Sequence, residues 1–119
     1  MNSTYFKRKE FACRCGCGFD VVDAELLELL TMIREHYQRP VAILSGCRCL
    51  AHNTRVGGAK ASQHMLGKAV DFNVVGVTPA EVQEFLNNTL PKDKYGVGYG
   101  KTFTHLDVRD NPARFHYGP

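Results

Sequence analysis

A chain of 119 residues, 44% hydrophobic and 23% charged, is long enough for one domain with a real core and too short for two of ordinary size. Its longest apolar runs fall far short of the roughly 20 residues that span a bilayer, so no inserted helix is expected. The net charge of +3 is small, and its basic residues are scattered rather than interleaved with aromatics, so nucleic acid is not an expected partner.

Residues 1–20 read as an irregular segment in which Gly16 and Gly18 turn the chain among Cys13, Cys15 and Cys17. No apolar segment of signal-peptide length follows Lys7-Arg8-Lys9, so synthesis in the cytoplasm without a cleaved leader is the expectation. Cys47 and Cys49 form a second clump and make the cysteine count five. Three readings stay open: reduced thiols, one or two disulfides between the clumps, or a zinc ion held by four thiolates.

From Asp23, a plausible N-cap, Leu26, Leu29, Leu30, Ile33 and Tyr37 fall on one helical stripe that ends before Pro40. Val41–Leu44 reads as a short buried strand, and Cys49–Val56 as a short helix closed by Gly57-Gly58. Ala69–Val75 alternates, with Val70, Phe72 and Val74 on one face and Ala69, Asp71 and Asn73 on the other. Thr78-Pro79-Ala80-Glu81 combines a cap, proline at the first helical position and a capping-box glutamate, and starts a helix running to about Asn88.

Tyr95–Tyr99 is a glycine-rich strand or hairpin arm. Thr104–Arg109 alternates again, placing His105, Asp107 and Arg109 on one face. Residues 111–119 read as a tail. The order predicts one α+β domain over 1–119, a central antiparallel sheet with helices packed on one side.

Chemistry concentrates in Ser62-Gln63-His64 through Asp71, answered by His105-Leu106-Asp107. Two imidazoles and a carboxylate are the ligand set of a catalytic zinc site that leaves its fourth position to water. His64 and Asp71 are too far apart for adjacent turns of one helix, so the site should be built across a sheet. On the residues alone, hydrogen-bonded structural roles remain equally open. His36 and His116 read as structural, and His52 is undecided.

Taken together, Phe11-Ala12-Cys13, Ser45-Gly46-Cys47-Arg48, His52-Asn53, Val56-Gly57-Gly58-Ala59, Ser62-Gln63-His64, Gly67-Lys68-Ala69-Val70-Asp71 and His105-Leu106-Asp107 resemble the zinc D-alanyl-D-alanine carboxypeptidase-like peptidases. That family includes phage endolysins, VanX-type dipeptidases and the hedgehog fold. The resemblance implies zinc on His64, Asp71 and His105, and hydrolysis of peptide bonds in bacterial peptidoglycan, by an endolysin-like or carboxypeptidase-like enzyme.

It also implies that Arg48 faces the substrate, against the plainer reading of a surface arginine paired with an acid. Ser62 either binds substrate or caps the turn before His64. Many relatives carry an acid or histidine three residues before the last zinc histidine; here that position is Thr102. Asp107 then reads equally as the general base or as a group orienting a ligand. A zinc-containing peptidoglycan-binding module without catalysis is the alternative. A monomer acting on the wall after phage-type release completes the expectation.

Overall fold

The computed structural model describes residues 3–117. Asp23 caps helix α1 (Ala24–Tyr37) by accepting from the backbone N–H groups of Glu25 and Leu26, which satisfies two of the donors every helix start leaves open. Gln38, in the left-handed region at φ 54°, ends that helix and delivers the chain to strand β1 (Val41–Ser45). Helix α2 (Leu50–Arg55) follows, then a 3-10 turn (Gln63–Leu66) and strand β2 (Ala69–Val74). Thr78 caps helix α3 (Pro79–Thr89) through the Glu81 N–H, as the capping pattern predicts. Strands β3 (Gly96–Tyr99), β4 (Thr104–Asp107) and β5 (Ala113–His116) complete the chain, and a second 3-10 turn covers Arg8–Phe11 within the cysteine-rich segment.

The five strands form one sheet in the order β1-β2-β4-β3-β5. The first three neighbouring pairs are antiparallel, as expected, but β5 runs parallel to β3, so the sheet is mixed. The tail expected from Asn111 is therefore corrected in its described part: Ala113–His116 is an edge strand. It satisfies backbone groups of β3 and bonds through Ala113 N–H to Tyr95 O and through Tyr117 N–H to Tyr99 O.

Alternation along each strand sorts side chains by face. Val70, Phe72, Val97 and Leu106 are fully buried with Leu26, Leu30 and Ile33 of α1 and Val82 and Leu86 of α3. Burying each such side chain contributes about 1.5–3 kcal/mol. The opposite face carries Asp71, His105 and Asp107, and is covered by the loops flanking α2 and by the aromatic end of β5. One face makes the core and the other is left for chemistry. Among the described residues, no helix is long and apolar enough to cross a membrane.

Candidate metal centre

Asp71 on β2 and His105 on β4 are direct partners across an antiparallel ladder, where Cβ atoms lie about 4.5–5.5 Å apart. His105 Nδ1 lies 3.0 Å from Asp71 Oδ1. His64 comes from the 3-10 turn, which Ser62 caps by accepting the His64 N–H at 3.2 Å and which Gly67 ends in the left-handed region. That turn brings His64 Nε2 to 3.4 Å from the same Asp71 oxygen. The three residues singled out from sequence thus converge, with one donor atom from each within 4.8 Å of the others.

The donor set fits a metal ion in three respects. His64 Nε2 is buried and has no hydrogen-bond partner among the described residues, an orphaned lone pair in a polar site. Its other nitrogen, Nδ1, is 2.7 Å from the Gly46 carbonyl, which selects the tautomer with Nε2 unprotonated. Finally, zinc–nitrogen and zinc–oxygen bonds of about 2.0–2.1 Å give a tetrahedral edge of about 3.4 Å, close to the 3.0 and 3.4 Å separations found here.

Behind these candidate ligands stands a second ring of contacts. Asp107 is completely buried, and its Oδ2 is 2.7 Å from His105 Nε2. Arg109 clamps the same carboxylate with Nε on Oδ1 at 2.8 Å and NH2 on Oδ2 at 2.6 Å. Asp107 therefore lies across the imidazole from the ligand atoms, behind His105 rather than beside them. Asp107 is not among the residues that line the cavity, the placement an orienting group would take. Gly96 sits opposite Asp107 on β3, and a Cβ there would strike the carboxylate, which is why the strand is bare at this position.

Arg48 is no free surface arginine. It donates Nε to Ser45 Oγ at 3.2 Å, NH1 to Asn53 Oδ1 at 3.3 Å and NH2 to Asp71 Oδ2 at 3.4 Å. Asp71 thus presents one oxygen to the histidines and the other to a guanidinium. Burial works against its ionisation, yet the His105 hydrogen bond and the neighbouring His64 imidazole prevail and hold its carboxyl well below the usual carboxylate range. Asp107 is held low in the same way, by His105 and Arg109 against burial. Burial favours neutral His105, but Asp107 and Asp71 outweigh it and raise the imidazole above its ordinary value.

Arg48, His64, Asp71, His105 and Arg109 line a cavity of about 550 Å³, within the size range of small-ligand sites. Ser62 is at its wall as well as at the cap of the turn. A larger hollow of about 620 Å³, lined by Gln83, Asn87, Tyr99 and His116 among others, shares no residue with it. Of the remaining histidines, His36 stacks on Phe85 with ring centroids 4.0 Å apart, the structural role expected. His52 lies on α2 outside the cavity lining. Thr102 is exposed, and its carbonyl accepts from Asn73.

Sequence reasoning missed three contributors. Asn53, 2% exposed, ties Arg48 to the Gly57–Ala59 loop by donating Nδ2 to Ala59 O at 2.8 Å. Phe115 and Tyr117 extend from β5 over His105, with ring centroids 5.3 and 6.2 Å from the imidazole. Asn53 had a signal, its place beside His52 in the family pattern; the aromatic pair had only a four-residue strand without a recognisable period.

A sheet face carrying a histidine–aspartate–histidine trio whose outer nitrogens are fixed by a carbonyl and a carboxylate has the make-up of a candidate metal centre. Residues 4–107 match the model of the Peptidase M15 family, and the chain belongs to that family of zinc-dependent peptidases. No curated protein matches the chain.

Proposed function

We propose that this domain hydrolyses peptide bonds of bacterial cell-wall peptidoglycan, with zinc held by His64 Nε2, Asp71 Oδ1 and His105 Nδ1. The observation that carries the reading is the convergence of these three atoms on a cavity walled by Arg48, in a chain of the M15 peptidase family. When bound, zinc supplies a Lewis acid that polarises the scissile carbonyl and acidifies water.

The chain's own residues do the rest. Gly46 O and Asp107 fix the two imidazoles so that their free nitrogens point inward. Arg48, held by Ser45, Asn53 and Asp71, keeps its guanidinium at the cavity wall. There it stabilises negative charge developing on the carbonyl oxygen or grips a carboxylate of the stem peptide. Burial and the charge of Asp71 push the Tyr117 phenol up to about 12, so it stays protonated at neutral pH as a hydrogen-bond donor over the site. Ser62 lines the substrate side while capping the turn beneath His64.

One observation favours the second reading, a zinc-containing module that binds wall peptides without cutting them. Among the described residues, the only carboxylate lining the cavity is Asp71, so no acid is free to take a proton from water. Digestion of purified muropeptides, followed by mass spectrometry of the products, separates the two. The enzyme reading requires cleavage by the wild-type protein that chelator and His64→Ala both abolish. Equal product in all three samples overturns it. Co-sedimentation with cell walls without release of new amino groups establishes the binding module instead.

A further inference from the structure

Four of the five cysteines gather at one place away from the histidine site. Cys13, Cys15, Cys17 and Cys49 each bring a sulfur within 4.8 Å of the other three. Cys13 Sγ and Cys15 Sγ are 3.4 Å apart, and Cys15 Sγ and Cys49 Sγ 3.7 Å. No pair is bonded. Zinc–sulfur bonds of about 2.3 Å imply sulfur–sulfur edges of about 3.8 Å in a tetrahedron, and these separations are of that size.

The backbone is arranged to suit sulfur anions. Cys49 N–H donates to Cys13 Sγ, and His52 N–H donates to Cys49 Sγ, each at 3.4 Å. Gly16 and Gly18, at φ 83° and 92°, reverse the chain so that the sulfurs of Cys13, Cys15 and Cys17 converge from a single loop, with Cys15 and Cys17 exposed to solvent. That loop explains how a spacing too short for the usual two-to-four-residue knuckle still converges.

The fifth cysteine is separately employed. Cys47 is buried, and its thiol contacts the carbonyls of Phe11 at 3.3 Å and Phe19 at 3.1 Å. An odd count therefore resolves into four plus one.

We propose that Cys13, Cys15, Cys17 and Cys49 bind a structural zinc ion as four thiolates, a second metal centre independent of the histidine–aspartate one. Binding replaces four thiol protons with one divalent cation, releases those protons to solvent and involves no change of oxidation state. The closed four-ligand shell leaves no position for water, so the site is structural. Its position gives it a purpose. It clips the N-terminal segment onto the Gly46–Cys49 stretch, which supplies the carbonyl that fixes His64 and the arginine that holds Asp71.

Reconstitution of the full-length chain, purified without oxygen and loaded with cobalt(II) alone, tests this. The wild-type protein is expected to take two equivalents and to show thiolate-to-cobalt charge transfer in the near ultraviolet. The double variant His64→Ala, His105→Ala should lose one equivalent and keep that absorption. Cys15→Ser with Cys17→Ser should lose the absorption and keep one equivalent. Absence of the charge-transfer band in the wild-type protein overturns the proposal, even if a cysteine variant fails to fold. So does mass spectrometry showing two hydrogens lost per bridged cysteine pair in the freshly isolated chain. Failure of the peptidase reading would leave the band untouched, so the two outcomes are distinguishable.

Discussion

Asp107 has two carboxyl oxygens, and both are already engaged: one by His105 and Arg109, the other by the Arg109 side chain and backbone. A group in that position acts through the imidazole it holds. Asp107→Asn is expected to weaken zinc binding about 10–100-fold, the usual cost of losing an outer-shell carboxylate. Much of kcat should return once zinc is saturating. A general base would behave in the opposite way, with kcat collapsing and zinc affinity unchanged, so chelator competition read beside kcat decides the matter. Arg48→Lys probes the other side of the site. Lysine cannot reach Ser45, Asn53 and Asp71 at once, and kcat/KM should fall about 10²–10³-fold while zinc content is retained. Retained activity would reduce Arg48 to packing. Residue types alone left His64, Asp71 and His105 balanced between a metal site and structural roles, and only the family resemblance singled the trio out as ligands. They could not divide Asp107 between two roles, since that depends on which nitrogen of one imidazole faces which carboxylate.

At the scale of elements, β3 shows why glycine can be required in a strand. Gly98 pairs with His105, and a Cβ at that position would meet His105 Cβ at 2.8 Å and the rings of Tyr117 and Phe115 at 2.6 and 2.8 Å. Gly98→Ala should therefore destabilise the fold by about 1–3 kcal/mol, the cost of overfilling a packed site. Because the displaced group is a proposed zinc ligand, zinc affinity should fall with it. Thermal melts of the metal-free and zinc-loaded variant check both, and an unchanged zinc-induced shift would show that His105 had not moved. Helices α1 and α3 were legible because their signals are local: a cap, a stripe and a proline within one stretch of chain. Strand β5 was not. Its partner is β3, its pairing is parallel, and Ala113-Arg114-Phe115-His116 is too short to show a period. The two aromatics of the site wall were lost with it.

For the whole molecule, the site charges couple stability to pH and metal together. In the metal-free protein His105 is raised above its ordinary value of about 6.5, so its contribution is full below that pH and fades as pH rises through the folded value. Asp71 and Asp107 are depressed, so theirs is full above the unfolded value of about 3.9 and is lost as pH falls toward the folded ones. The metal-free fold should then be most stable between about pH 4 and 6.5. Zinc competes with the proton on His105, so it binds better as pH rises. At free zinc a hundredfold above its dissociation constant it would add about 2.7 kcal/mol. The stabilisation removed by chelator should consequently grow steadily from about pH 5.5 to 8. Subtracting the same measurement on His64→Ala, His105→Ala isolates the part due to the histidine site. A chelator effect that is flat or shrinks over that range would mean that His105 does not bind the metal through the nitrogen it shares with Asp71.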